Sequence, residues 1–123
     1  RARIVSMAVS GADPTIMLTG PAPAARKALA KAGLETKDID LFEINEAFAA
    51  QVLPSADEIG IDLDKLNVNG GAIALGHPIG MSGTRVALTL AYELKRQGGG
   101  MGAAALCGGG GQGEALVLKV VGA

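Results

Sequence analysis

Residues 101–121 read MGAAALCGGGGQGEALVLKVV, and this stretch is the most informative about the fold. Residues 101–106 are typical of a strand of small residues, residues 108–113 of a glycine-rich turn, and residues 115–121 of a closing strand. The two strands are close enough in sequence to form an antiparallel hairpin. The only cysteine of the chain, Cys107, follows the first of them.

Upstream of this hairpin, predicted strands alternate with predicted helices. The hydrophobic spacing predicts strands at residues 3–9, 39–44 and 65–69 and helices at residues 24–32, 46–59 and 82–97. Gly33 is expected to end the first helix, Asn45 to cap the second, and Pro54 to kink or break it. Alternating strands and helices imply an α/β fold with a largely parallel sheet, to which the final hairpin adds an antiparallel strand.

The composition excludes several classes of function. The chain has 123 residues, of which 49% are hydrophobic and 2% aromatic, so its core must be built from Ala, Val, Leu and Ile. Its net charge of −1 comes from acidic and basic residues mixed along the chain. There is no basic block for nucleic acid and no apolar run as long as a membrane span. A single cysteine cannot form an internal disulfide, which fits a reducing compartment.

The only histidine, His77, lies in a glycine-rich segment, residues 69–80, that reads NGGAIALGHPIG. Such a loop leaves both ring nitrogens free to act as a base or as a hydrogen-bond donor. A structural or surface histidine is the alternative interpretation. We expect no metal site, because one histidine and one cysteine fall short of three or four ligands.

Two further positions carry candidate groups. The glycine N–H groups after Cys107 could lower the pKa of its thiol or hold an oxyanion, but composition alone favours a buried cysteine of purely structural role. Asn45 and Glu46 end the second predicted strand, where α/β sheets place functional groups. Their alternatives are helix capping for Asn45 and a helix-dipole interaction for Glu46. The glycine-rich loops lack the residues of the usual nucleotide-binding motifs.

Three segments resemble signature blocks of thiolases: residues 45–49 (NEAFA), residues 70–80 (GGAIALGHPIG), and Cys107 with Gly109. The chain is similar to the C-terminal half of a thiolase over residues 1–123. The resemblance implies a thiolase-like half, with a mixed five-stranded sheet and helices on its faces. It also implies acyl transfer between coenzyme A thioesters, by Claisen condensation or by thiolysis of a 3-ketoacyl-CoA, with no cofactor other than these thioesters.

The resemblance also assigns roles to individual residues. His77 would activate a nucleophilic cysteine and donate to the thioester oxygen, and Asn45 would hold a water that completes this first oxyanion hole. Cys107 would be the acid and base that moves the α-proton of acetyl-CoA or protonates the leaving coenzyme A. The N–H of Gly109 would contribute to a second oxyanion hole, and Phe48 is expected to line the acyl pocket.

The same resemblance implies missing partners. The nucleophilic cysteine of a thiolase belongs to the N-terminal half, and Cys107 matches the acid/base position instead. We therefore expect the chain to be a fragment that is inactive alone. It should associate with an N-terminal half, and the protein should form a homodimer or homotetramer. The expected location is the cytoplasm, or an organelle matrix if a targeting segment exists upstream. A ketosynthase-like condensing enzyme, which normally carries His or Asn in place of Cys107, and a non-catalytic thiolase-fold module are the alternatives.

Overall fold

The computed structural model describes residues 1–122, which form a mixed sheet with helices on both faces. Its strands run in the spatial order β1-β4-β3-β2. The strands are β1 (Arg3–Gly11), β2 (Leu41–Ile44), β3 (Gly100–Gly108) and β4 (Gln112–Val120). β4 is antiparallel to both neighbours, whereas β2 and β3 are parallel. The hairpin predicted from residues 101–121 is confirmed, with Cys107 paired to Gly113 beside the turn.

Four α-helices connect and flank the strands within the described residues. They are α1 (Pro21–Ala32), α2 (Ala49–Ile59), the short α3 (Ala72–Leu75) and α4 (Ser82–Arg96). Pro21 suits the start of α1 because its missing N–H would be unpaired there in any case. Gly33 ends α1 with a φ of 68°, as predicted for a C-terminal cap. The prediction of an α/β fold is therefore confirmed in class and in most elements. No helix among residues 1–122 is long and apolar enough to cross a membrane.

The prediction of a fifth strand at residues 65–69 is wrong. Leu66 makes only an isolated parallel bridge to Phe42. Asn67 has a φ of 48° and turns the chain away from the sheet. Its side-chain amide then accepts from the N–H of Ile44 at 2.9 Å and donates to the carbonyl of Ile44 at 2.8 Å. A neighbouring strand would make these two bonds with its backbone. Here the side chain of Asn67 makes them, and no fifth strand forms.

Two expectations about α2 are also corrected. The helix continues through Pro54 without a break, because the carbonyl of Ala50 that loses its partner lies on an exposed side of the helix. The helix begins at Ala49, and its N-cap is Phe48, which makes no capping bond with its side chain. Asn45 lies outside the helix, so its predicted capping role is wrong and its side chain is available for other contacts.

The sheet has two unlike faces. On one face, α1 and α2 cover a continuous buried core that includes Leu29, Phe42, Ile44 and Val117. On the other face, α4 packs through Val86, Leu90 and Leu94 against small and aliphatic strand residues. Close approach of this helix depends on Gly102, where a Cβ would lie 2.7 Å from a methyl carbon of Leu90. Burial of each of these large side chains contributes about 1.5–3 kcal/mol to folding.

α4 covers only part of its face of the sheet. Beside α4, the side chains of Ile4, Met7 and Val9 on β1 are 60–63% exposed. Together with Leu106 and Leu116 they line an apolar groove of about 530 Å³ between β1 and α4. The outward side of α4 carries Leu88 and Tyr92, which are exposed as well. This face of the sheet therefore leaves several large apolar side chains exposed.

β1 forms one edge of the sheet, and two lysines of α1 lie along it. Lys27 Nζ donates to the carbonyl of Val9 at 3.1 Å, and Lys31 Nζ donates to the carbonyl of Met7 at 3.0 Å. Two carbonyl groups of the edge strand are therefore bound by ammonium groups of the same chain.

Candidate active site

The candidate site lies where β2 and β3 end. Because these strands are parallel, their carboxyl ends meet at the same edge of the sheet, and the N–H of Asn45 donates to the carbonyl of Ala105 at 3.0 Å. His77 reaches this edge from the loop between α3 and α4. A cavity of about 400 Å³ is lined by His77, Cys107, Gly109 and Phe48, among other residues. Four of the five predicted site residues thus share one cavity.

Ser82 holds the ring of His77 at its Nδ1 side. Its Nδ1 lies 2.6 Å from Oγ of Ser82, and that hydroxyl donates its own proton to the carbonyl of Pro78 at 3.1 Å. A Ser82 hydroxyl that donates to Pro78 accepts from Nδ1–H, and the lone pair of the ring then lies on Nε2. His77 is exposed and lines the cavity, so an incoming group can reach its ring.

Asn45 lies behind His77 and is 1% exposed. Its Nδ2 is 3.4 Å from Nε2 of His77. Its Oδ1 accepts from Arg85 Nη2, also at 3.4 Å. Arg85 in turn donates from Nη1 to the carbonyl of Gly76, the residue before the histidine, at 2.5 Å. The fifth predicted residue is thus joined to the site through His77.

Glu46 anchors the loop that carries His77. Its Oε2 accepts from the N–H of Ile73 at 2.9 Å, near the start of α3, and its Oε1 accepts from Asn67 Nδ2 at 3.0 Å. Gly71 makes this possible, because a Cβ at that position would overlap the Glu46 carboxylate. Glu46 therefore serves α3 and the His77 loop, whereas the sequence suggested a role at the start of α2.

The Cys107 side of the cavity is more open. The thiol is half-buried and forms no disulfide, and burial raises its pKa above the usual value, so it is protonated at neutral pH. Gly109 is exposed, and a Cβ there would meet nothing within 4 Å. Its carbonyl accepts from Gln112 Nε2 at 2.8 Å, which orders the turn.

A buried carboxyl group lies next to the site. Glu43 precedes Asn45 by two residues on β2, so both side chains lie on the same face of the sheet, and it is 4% exposed. Burial, followed by the charge of Glu46, raises the pKa of Glu43 to about 7, against the opposing charge of Arg85. The charge of this face therefore changes near neutral pH.

Sequence reasoning missed three residues of this site. Ser82 and Arg85 lie on α4, and their partners at residues 76–78 and at Asn45 are not apparent from any periodic pattern. Met17 lines the cavity with a φ of 47°, which is uncommon for a residue with a side chain, and no local signal predicts it. Among residues 1–122 no group of three or more metal-binding side chains comes together.

Residues 1–120 match the family described as thiolase, C-terminal domain. The chain belongs to the thiolase family. It is 57% identical over 122 residues to a 3-ketoacyl-CoA thiolase of Aliivibrio salmonicida (strain LFI1238), covering 97% of this chain and 32% of that relative. Over 118 residues it is 53% identical to the cytosolic acetyl-CoA acetyltransferase of Mus musculus, covering 96% of this chain and 30% of that relative.

Solved thiolases share the fold closely. The structure of human mitochondrial 3-ketoacyl-CoA thiolase in complex with CoA superimposes with a TM-score of 0.95 and 53% identity, over 98% of this chain and 30% of that chain. The acetyl-CoA acetyltransferase of Bacillus anthracis gives a TM-score of 0.93 at 53% identity, over 96% of this chain and 30% of that one. This thiolase domain therefore spans about a third of the length of the relatives that it matches.

Proposed function

We propose that the chain is the C-terminal catalytic half of a thiolase, which transfers acyl groups between coenzyme A thioesters. The observation that carries this proposal is the shared cavity of His77 and Cys107, in which one basic nitrogen and one protonated thiol meet. The relatives are named 3-ketoacyl-CoA thiolase and acetyl-CoA acetyltransferase, and one solved structure contains CoA. Acyl-CoA and coenzyme A would be the substrates, without a further cofactor.

In the first step, His77 would act on a cysteine supplied by an N-terminal half. Its Nε2 would take the proton of that thiol, and the resulting thiolate would attack the thioester carbonyl. The protonated ring and a water held by Asn45 would then stabilise the oxyanion. As coenzyme A leaves, Cys107 would give its proton to the departing thiolate.

In the second step, Cys107 would work as the base. Having lost its proton, the thiolate would remove an α-proton from a second acetyl-CoA, and the carbanion would attack the acyl-enzyme carbonyl to form the new C–C bond. The N–H of Gly109 would stabilise that oxyanion, and the carbonyl would re-form as the enzyme thiolate leaves. A raised pKa suits this role, because the thiol begins each cycle protonated. Phe48 and Met17 supply the apolar wall of the acyl pocket.

Two features support association with an N-terminal half: this chain lacks the nucleophilic cysteine, and it exposes an apolar surface. The groove beside β1 and the exposed Leu88 and Tyr92 on α4 form an apolar surface of the kind that a second domain covers. The relatives are about three times as long as this chain. We infer that an N-terminal half occupies this surface, that the completed protein forms a homodimer or homotetramer, and that it works in the cytoplasm or in an organelle matrix.

The proposal is tested by joining this chain to the N-terminal half of a relative and measuring thiolysis of acetoacetyl-CoA. We expect turnover from the joined protein and none from the 123-residue chain alone. Turnover by the chain alone would refute the need for a second half. An inactive joined protein that folds and binds CoA would favour a non-catalytic module.

Two variants of the joined protein separate the roles of the paired residues. His77→Ala should slow acylation of the nucleophile by about 100-fold or more, because both the base and an oxyanion donor are lost. Cys107→Ser should leave that acylation within a few-fold of the original rate but block exchange of the α-proton of acetyl-CoA with solvent. Equal loss of both steps in Cys107→Ser would contradict its assignment as the acid and base.

A further inference from the structure

We propose that Arg85 is a positioning residue that selects the ring tautomer of His77 by fixing the side-chain amide of Asn45. The structural part of this inference stands alone, and only its catalytic consequence rests on the proposed function. Arg85 touches no substrate-facing atom of the cavity wall, so its action passes through its neighbours.

The chemistry of the guanidinium group fixes the orientation of Asn45. Arginine carries only donors, and Arg85 directs Nη2 to Asn45 and Nη1 to the carbonyl of Gly76. The oxygen of the Asn45 amide must therefore face Arg85, which turns the nitrogen toward His77. With Nη1 bound 2.5 Å from the loop carbonyl, the guanidinium group joins the His77 loop to the end of β2.

The orientation of Asn45 in turn favours one form of the ring. Its Nδ2 is a donor and lies 3.4 Å from Nε2 of His77, so Nε2 is favoured as an acceptor. Ser82 favours the same Nδ1–H tautomer from the opposite side of the ring. If the amide turned over, its oxygen would face Nε2 and favour a proton there, and the ring could no longer accept a proton at the cavity. Arg85 prevents this rotation.

The burial and charge of its surroundings favour an arginine at position 85. It is half-buried on α4, a helix that packs on β2, and its charge opposes the rise in the pKa of the buried Glu43. A lysine in its place would keep the positive charge but could not direct two rigid donors at Asn45 and Gly76 together.

The single histidine allows a direct test in the 123-residue chain. With histidine labelled with ¹⁵N, the imidazole nitrogen shifts give the ratio of the two neutral tautomers at alkaline pH. We expect the Nδ1–H form to predominate, and Arg85→Lys to raise the Nε2–H share about three- to tenfold, the effect of losing one modest hydrogen bond. Arg26→Lys is the matched control, because that arginine pairs with Glu58 on the surface of α1.

A double substitution tests whether Arg85 acts through Asn45. In the Asn45→Ala background, Arg85→Lys should produce no further change in the tautomer ratio. An unchanged ratio in Arg85→Lys alone, or a shift of equal size in both backgrounds, would overturn the proposal. If Asn45→Ala does not fold, Asn45→Ser serves the same comparison. It also removes the amide, and it leaves less empty space than alanine does.

The joined protein separates this inference from the proposed function. There, Arg85→Lys should reduce kcat for acylation in proportion to the lost share of the Nδ1–H ring, about twofold where a tenfold change in the ratio takes that share from about nine-tenths to a half, with KM nearly unchanged. An active joined protein in which Arg85→Lys shifts neither the ratio nor kcat would refute the role of Arg85 while leaving the thiolase proposal intact. An inactive joined protein with a clear tautomer shift would refute only the proposed function.

Discussion

The His77 side and the Cys107 side of the cavity are organised differently. His77 is bonded to Ser82, approached by Asn45, and carried on a loop that Glu46 and Arg85 tie to the end of β2. Within residues 1–122 no other side chain bonds to the Cys107 thiol, which has only a hydrogen bond with its own backbone, and Gly109 and Gly110 in the turn that follows are exposed. This domain therefore fixes the ring of His77 by its own side chains, whereas it leaves the Cys107 thiol without a partner side chain.

Alanine substitution of one glycine on each side should give the largest contrast. Gly71→Ala places a Cβ against the Glu46 carboxylate, which must then release Ile73 or Asn67. We expect a loss of about 1–3 kcal/mol in the free energy of unfolding, measured by urea denaturation. Gly109→Ala meets no atom within 4 Å and should change it by less than about 0.5 kcal/mol. Similar losses for the two variants would contradict a tightly built His77 side.

Substitution of Glu43, on β2, should have a smaller effect on the free energy of unfolding. Its pKa is raised from 4.5 to about 7 in the folded chain, so the folded state favours the protonated form. The stability gained from protonation is fully present below about pH 4.5 and is lost as the pH rises through about 7. Glu43→Gln removes this loss and should stabilise the chain by about 1–2 kcal/mol at about pH 8, allowing for partial access of solvent.

The control for this experiment is the pH profile of stability. Wild type and Glu43→Gln should converge near pH 4.5, where both carry a neutral group, and separate as the pH approaches about 7. A constant difference across this range would show that a contact other than ionisation is responsible. Asp57→Asn on the exposed surface of α2 should leave the profile unchanged.

The smallest effect concerns the reactivity of Cys107. Because burial raises its pKa, the folded chain should react with iodoacetamide several-fold more slowly than the urea-unfolded chain at about pH 8. Because the chain has a single cysteine, mass spectrometry of the intact chain gives the rate of alkylation directly. Addition of an N-terminal half should change this rate while leaving the tautomer of His77 unaltered. A thiol that reacts at the unfolded rate would contradict its burial.

The local patterns of the sequence predicted the parts of the fold that depend on neighbouring residues. The hairpin of residues 101–121 and the end of α1 at Gly33 follow from side-chain size, glycine and spacing. The two unique residues, His77 and Cys107, also proved to share a cavity. The hairpin and the end of α1 are encoded within a few residues of where they occur.

The remaining features depend on pairs that are distant in the sequence. Residues 65–69 have the composition of a strand, but Asn67 bonds to Ile44 through its side chain and ends the pairing. Asn45 has the type of a helix cap, yet Arg85, forty residues later, takes its amide oxygen. Periodicity describes which side of an element is apolar, and it carries no information about which polar groups meet across elements.

The lysines along β1 also affect how this domain behaves in solution. An unpaired strand edge can extend into a continuous sheet with another molecule, and this is a common route to aggregation. Lys27 and Lys31 occupy carbonyl groups that an incoming strand would need, and they place two positive charges in its path. Two side chains of α1 therefore protect this edge of the sheet against pairing with another molecule.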